Sequence, residues 1–126
     1  MSDVKRILIV DDEPSILEIV EILLSSEGYQ VLKASNGQEG LDIAKQYLPD
    51  AIILDVMMPK MSGYMVATLL SSDSKLKKIP VMLLTATAQI AGNITLEIPT
   101  PYKLSKPFKP EELLDLLTTM LEETAA

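Results

Sequence analysis

Short apolar runs alternate with stretches of helical periodicity along almost the whole chain. Continuous runs, such as the Ile-Leu-Ile-Val at residues 7–10, are typical of strands buried on both faces. The pattern predicts strands at residues 7–10, 30–34, 51–54, 81–84 and 103–105. Because helical stretches separate these strands, we expect an α/β fold with a parallel sheet, helices on both of its faces and right-handed crossovers.

Capping residues indicate where the helices begin. The predicted helices start at Pro14, Gly37, Gly63 and Pro110. Proline suits the first position of a helix, and we expect Glu13, directly before it, to cap the first helix; contact with a metal ion through water is the alternative role for Glu13. Glu39 follows Asn36 by three residues and is placed to reach back as a capping partner at the start of the second helix.

One segment departs from this alternation. Residues 86–92 have room for one or two helical turns between the fourth and fifth strands. From Ile94 to Ile98, apolar and polar residues then alternate with the period of a strand, and Pro99 and Pro101 exclude a regular helix. We therefore predict a fourth helix that is short or irregular, followed by extended chain.

Length and composition narrow the possible functions. A chain of 126 residues is expected to form a single domain, 1–126. Its net charge of −7 disfavours direct nucleic-acid binding. Because cysteine and histidine are absent, thiolate catalysis, Ser-His-Asp triads and Cys/His zinc sites are excluded, and any metal must have oxygen ligands. Neither a signal peptide nor a membrane span is indicated, so we expect a cytoplasmic protein without membrane association.

Polar residues follow the predicted strands at the points where the strands end. Asp11 and Asp12 follow the first strand, Asp55 the third, Thr85 the fourth and Lys106 the fifth. The carboxyl ends of parallel strands meet at one edge of a sheet, which is where ligands bind in such folds. These five residues are therefore predicted to form one site.

Three carboxylates in one pocket repel one another, by about 3 kcal/mol for each close pair. Mg²⁺ relieves such repulsion, since it accepts carboxylates, a backbone carbonyl, waters and phosphate oxygens as ligands. Asp55 is then placed to attack phosphorus, with Lys106 neutralising phosphoryl oxygens and Thr85 donating a hydrogen bond to one of them. The pattern predicts phosphoryl transfer that depends on Mg²⁺.

The chain resembles the response-regulator receiver domains of two-component signalling. The matching motifs are ILIVDDEP at 7–14, LDVMMPKMSG at 54–63, LTA at 84–86 and KPF at 106–108. The resemblance implies a flavodoxin-like, doubly wound sheet of five parallel strands in the order 2-1-3-4-5. It also implies that the Lys106–Pro107 bond is cis.

The resemblance assigns roles to the polar residues at the site. Asp55 would accept a phosphoryl group from a sensor histidine kinase or a histidine phosphotransfer protein, contacted by Thr85 and Lys106. The protein would then change conformation and control a downstream protein partner of unknown identity, as a signalling domain rather than an enzyme.

The resemblance implies a magnesium site as well. Asp12 and Asp55 would bind Mg²⁺ directly, together with the backbone carbonyl of Met57, and Asp11 would bind it through water. The side chain of Met57 would lie near the phosphoryl group.

The sequence departs from the family at one position. Relatives usually carry an aromatic residue three positions before the lysine, where this chain has Lys103; Tyr102 stands one place earlier. Two explanations are open: the strand register shifts to accommodate Tyr102, or the conformational switch works differently.

Three other functions are compatible with a protein of this fold class. A haloacid-dehalogenase-type phosphatase needs a second aspartate two residues after the nucleophile, where this chain has Met57. A flavodoxin-like FMN carrier needs a phosphate-binding loop, whereas the acidic residues at 11–13 repel phosphate. A phosphorylation-independent docking module of the same fold is the third alternative. The intact set of aspartate, threonine and lysine residues argues against it, whereas the unusual segment at 86–102 leaves it open.

Overall fold

A computed structural model describes residues 4–86 and 100–125 of the chain. The strands are β1 Arg6–Val10, β2 Gln30–Ala34, β3 Ala51–Asp55, β4 Val81–Ala86 and β5 Tyr102–Lys106. They form one parallel sheet in the order β2-β1-β3-β4-β5. The predicted α/β class, strand order and parallel pairing are confirmed.

The described residues include four α-helices and one short 3₁₀ helix. The helices are α1 Pro14–Ser26, α2 Gly37–Tyr47, α3 Gly63–Ser72 and α4 Pro110–Ala125, and the 3₁₀ helix is Leu76–Lys78. All four α-helices start at the predicted residue. The predicted short or irregular helix between β4 and β5, and most of the extended chain after it, fall on residues 87–99 and lie outside the described residues.

The sheet separates two hydrophobic clusters. Alternate residues of β1 enter opposite clusters: Leu8 and Val10 pack with residues of α2 and α3, while Ile7 and Ile9 pack with residues of α1 and α4. All four side chains are fully buried, and each such side chain contributes about 1.5–3 kcal/mol on leaving water. This burial on both faces explains the continuous apolar runs, and it fixes where the carboxyl end of β1 lies.

The starts of α1 and α2 are stabilised differently. At α2, Asn36 Oδ1 accepts from the Glu39 N–H at 2.8 Å, and Glu39 reaches back so that its Oε1 accepts from the N–H of Ser35, one residue before the cap, at 2.7 Å. At α1, Glu13 occupies the cap position, but its side chain makes no capping hydrogen bond. The prediction that the Glu13 side chain caps the helix is wrong, because this carboxylate instead lies 3.7 Å from the Lys106 ammonium.

The register of β5 bears on the unusual position of its tyrosine. Pairing with β4 runs without interruption from Met82–Tyr102 to Ala86–Lys106. Tyr102 packs partly buried against the cluster on the α1 and α4 side, and its hydroxyl donates to Glu123 of α4. Lys103 points away from that cluster and is exposed. That the register is shifted relative to the family, or that the switch works differently, therefore stays a prediction.

Candidate functional site

Four strands deliver the predicted site residues to one edge of the sheet. Asp11 directly follows β1, and its backbone N–H donates to the Ala34 carbonyl at 3.1 Å, which extends the pairing with β2 by one bond. Asp55 is the last residue of β3, and Lys106 is the last residue of β5. Thr85 lies one residue before the end of β4. The convergence predicted from the strand ends is what the structure shows.

The three aspartates form one cluster of oxygen ligands. Asp11, Asp12 and Asp55 each place a carboxylate oxygen within 4.8 Å of the others. Asp11 and Asp55 are buried, whereas Asp12 is exposed at the mouth of the cluster. Such a set suits a hard divalent cation that retains some of its water ligands.

Lys106 lies between the two buried carboxylates. Its Nζ is 3.1 Å from Asp11 Oδ2 and 3.2 Å from Asp55 Oδ1. Burial alone lowers the pKa of Lys106, but the negative charges of Asp11 and Asp55 more than offset this, so the pKa is raised above its ordinary value. The ammonium group therefore stays charged and compensates part of the carboxylate repulsion.

Burial also governs the titration of the aspartates. The pKa of Asp55 is raised to about 6, chiefly by burial and then by the negative charge of Asp11, although Lys106 and the Met57 N–H act to lower it. The pKa of Asp11 is raised by burial as well, against hydrogen bonding from the Glu13 N–H at 2.9 Å and the charge of Lys106. A single ammonium thus leaves the carboxylate cluster incompletely neutralised, which is the condition that a bound cation relieves.

Thr85 presents an unsatisfied hydroxyl at the same edge. The residue is buried, and among the described residues its Oγ1 has no hydrogen-bond partner. A buried hydroxyl without a partner costs about 1–3 kcal/mol, so such groups are usually found where a ligand completes them. Thr85 lies on β4, which pairs with the strand of Asp55, β3. The residue directly before Thr85, Leu84, is in register with Asp55.

The loop after β3 carries Met57 next to the buried aspartate. The Met57 N–H donates to Asp55 Oδ1 at 3.4 Å, and the side chain is 65% exposed. Met58, by contrast, is buried in the core. The loop therefore ties its backbone to the site while leaving one thioether in solvent.

Gly63 has a structural role that the sequence analysis did not identify beyond its place at a helix start. Its N–H donates to the Val56 carbonyl at 2.9 Å, and a Cβ at this position would lie 2.2 Å from the Asp55 carbonyl oxygen. Only glycine lets α3 begin this close to the backbone of Asp55. One feature of the sequence could have indicated this role. Ser62 supplies the cap of α3, so the glycine that follows it is not needed for capping.

The family is decided by comparison with known proteins. The model of the response regulator receiver domain matches residues 7–118. The chain belongs to this family. Its Lys106–Pro107 peptide bond is cis, as the resemblance implied.

The similar sequences include longer proteins. The chain is 43% identical over 121 residues to the probable transcriptional regulator ycf27 of Guillardia theta, a match that covers 95% of this chain and 46% of that protein. The receiver thus spans about half the length of the curated relatives it matches. Among the described residues, no helix is long and apolar enough to cross a membrane.

Solved structures of receivers have the same fold. The chemotaxis response regulator CheY4 of Vibrio cholerae is 34% identical, with a TM-score of 0.84 over 94% of this chain and 99% of that one. The receiver domain of the sensor histidine kinase PA1611 from Pseudomonas aeruginosa is 29% identical, with a TM-score of 0.86 over 94% of this chain and 98% of that one. The PA1611 structure has a magnesium ion coordinated in its active-site cleft.

Proposed function

We propose that this receiver accepts a phosphoryl group on Asp55 in a reaction that depends on Mg²⁺. The observation that supports it most directly is the position of the Lys106 ammonium, 3.2 Å from Asp55 Oδ1 and 3.1 Å from Asp11 Oδ2. A cation so placed can turn from a carboxylate to the oxygens of a transferred phosphoryl group. Membership of the receiver family favours this function over the phosphatase and FMN-carrier alternatives.

The transfer requires few groups from this chain. A carboxylate oxygen of Asp55 attacks the phosphorus of a phosphohistidine on a sensor kinase or a histidine phosphotransfer protein. The new O–P bond forms as the N–P bond breaks, and the electron pair of the broken bond stays on the partner's imidazole. Lys106 stabilises the charge on the phosphoryl oxygens, and Thr85 gains the hydrogen-bond acceptor that its buried hydroxyl lacks among the described residues.

The oxygen ligands of the cluster fit Mg²⁺. We assign direct coordination to Asp12, Asp55 and the backbone carbonyl of Met57, and coordination through water to Asp11. When bound, the ion would neutralise carboxylate and phosphoryl charge at the site. The exposed position of Asp12 at the mouth of the cluster leaves room for water ligands, which Mg²⁺ retains strongly.

The output follows from a change of conformation rather than from catalysis on a second substrate. Phosphorylation adds strong acceptor oxygens and negative charge, and it biases the receiver towards the conformation that contacts them best. Relatives of this chain are named as transcriptional regulators, so we propose that its signal reaches DNA through an effector. The receiver itself, with a net charge of −7, does not bind the nucleic acid.

The experiment is intact-protein mass spectrometry after incubation with acetyl phosphate and Mg²⁺. We expect one added phosphoryl group in the wild type, none without Mg²⁺ and none in Asp55→Asn. Asp42→Asn, at an exposed carboxylate on α2, is the matched control and should be phosphorylated like the wild type. An adduct that persists in Asp55→Asn would place the phosphoacceptor elsewhere.

The docking module of the same fold is the second candidate. It is favoured by Lys103, which is exposed where relatives usually carry the aromatic residue of the switch. It predicts that wild-type protein takes up no phosphoryl group and binds no beryllofluoride in the presence of Mg²⁺. Uptake of either ligand at Asp55 would exclude it.

A further inference from the structure

The methionines that the structure describes differ sharply in exposure, and methionines are the only strongly oxidisable side chains of this chain. Cysteine, tryptophan and histidine are absent, whereas seven methionines are present. A two-electron oxidant such as hydrogen peroxide therefore has thioethers as its main targets here. Any reversible response of this protein to such an oxidant has to act through a methionine.

Exposure singles out Met57 among the described methionines. Its side chain is 65% exposed, and that of Met65 on α3 is 50% exposed. Met58, Met82 and Met120 are buried in the two core clusters. The remaining described methionine, Met61, is partly buried and lies close to Gly37, so that a Cβ on that glycine would be 3.0 Å from the Met61 sulfur.

Position distinguishes Met57 from the other exposed methionine. Met57 stands two residues after Asp55, and its N–H is bonded to the Asp55 carboxylate. Met65 lies in the first turn of α3, beyond the loop, and its N–H is bonded to the cap residue Ser62. Oxidation of Met57 therefore changes a side chain on the segment attached to the phosphoacceptor, whereas oxidation of Met65 changes the outer surface of a helix.

We propose that Met57 is an oxidation site through which peroxide lowers phosphorylation of Asp55. In the reaction, the thioether sulfur attacks one oxygen of the hydroperoxide and the O–O bond breaks. The sulfur is oxidised by two electrons to the sulfoxide, and the peroxide is reduced to water, or to an alcohol for an alkyl hydroperoxide. The regulatory part of this inference rests on the proposed function, since it acts on the same aspartate.

The expected direction follows from the chemistry of the sulfoxide. A thioether is a poor hydrogen-bond acceptor, whereas a sulfoxide oxygen is a strong one that carries partial negative charge. The candidate site already contains three carboxylates, and a single lysine, Lys106, lies between the two that are buried, Asp11 and Asp55. A phosphoryl group adds only acceptor oxygens to it. A sulfoxide on Met57 adds another acceptor and no donor to the residue whose N–H contacts the Asp55 carboxylate, so phosphorylation is disfavoured.

The first test is the order of oxidation. Folded protein is titrated with hydrogen peroxide, and the added oxygen atoms are located by peptide mapping. We expect Met57 to be oxidised first and Met65 second, with Met58, Met82 and Met120 protected until the protein is unfolded. Oxidation of any other described methionine before Met57 would overturn the proposal, whatever the phosphorylation result.

The second test measures the ratio of phosphorylation rates after and before oxidation, with acetyl phosphate and Mg²⁺. We expect at least a threefold decrease in the wild type and in Met65→Leu, no decrease in Met57→Leu, and recovery after treatment with methionine sulfoxide reductase. Using the ratio removes any effect of Met57→Leu on the unoxidised rate. An equal decrease in Met57→Leu and wild type would refute the role of Met57, whereas no phosphorylation of unoxidised wild type would refute the proposed function and, with it, this regulation.

Discussion

Replacing Asp55 by asparagine tests how strongly burial opposes ionisation of this carboxylate in the metal-free protein. The side chain is almost fully buried, and its pKa is raised from 3.8 to about 6, chiefly by burial and then by Asp11. Asparagine has nearly the same shape and does not ionise. The variant therefore removes the cost of the buried charge while it keeps most of the packing.

The magnitude follows from the difference between the two pKa values. Between pH 3.8 and about 6 the native protein retains a proton on Asp55 that the unfolded chain has released. The free energy of unfolding of the wild type therefore falls as the pH rises through this range, by about 3 kcal/mol in total. The free energy of unfolding of Asp55→Asn does not decrease in this way, because asparagine does not ionise. At about pH 7.5 without Mg²⁺ we therefore expect the variant to be more stable than the wild type by up to about 3 kcal/mol.

Urea denaturation at a series of pH values, with a chelator present, measures this difference. The stability gap should close towards about pH 4, where native Asp55 is protonated, and it should narrow at about pH 7.5 when saturating Mg²⁺ binds the wild type more tightly than the variant. Asp12→Asn is the matched control in the same cluster, and we expect a smaller gain because Asp12 is exposed.

Two results would refute this reasoning. The first is an Asp55→Asn variant that is no more stable than the wild type at about pH 7.5, which would mean that Lys106 fully compensates the buried charge. The second is a gain of equal size at every pH, which would attribute the effect to packing rather than to ionisation.

The remaining predictions concern metal binding, backbone packing and the edge strand. Because protons compete for Asp55, Mg²⁺ affinity measured by calorimetry should fall as the pH drops below about 6; a constant affinity would argue against this ligand. Gly63→Ala should cost about 3 kcal/mol or more in urea denaturation, against about 1 kcal/mol for Gly28→Ala, whose φ is +89° in open space; equal losses would contradict the backbone clash. Tyr102→Phe should cost under about 1 kcal/mol and leave phosphorylation by acetyl phosphate unchanged; slower phosphorylation would couple the Glu123 contact to the site.

Much of the fold was predictable because the three central strands, β1, β3 and β4, are buried on both faces. Continuous apolar runs can be recognised without knowing their partners, and the polar residue that ends each run must then lie at the shared edge. Asp11, Asp55 and Thr85 were located by this argument, and Lys106 by its place at the end of the weaker fifth strand. The structure brings Lys106 into contact with Asp11 and Asp55, and it places Thr85 near the end of β4, the strand between β3 and β5.

The details that could not be predicted depend on contacts between distant segments. The Glu13 side chain has a carboxylate that suits a helix cap, but its position is set by Lys106, more than ninety residues later in the chain. Similarly, the sequence around Gly63 indicates a helix start, whereas the reason for glycine is the Asp55 carbonyl oxygen that approaches from β3. Whether Tyr102 faces Glu123 depends on strand register, which a short strand of mixed polarity does not specify.

The bond between Lys106 and Asp11 joins residues that are 95 positions apart in sequence. A partly folded chain in which β5 has not joined the sheet cannot bring the Lys106 ammonium to Asp55. A chain in which β1 has not joined the sheet cannot bring the carboxylates of Asp11 and Asp12 to Lys106. The loss of chain entropy on closing a loop of this length opposes early formation of the contact between Asp11 and Lys106 during folding. The candidate site is therefore a property of the completed domain. A nascent or damaged chain lacks the full site until β1 and β5 have both joined the sheet.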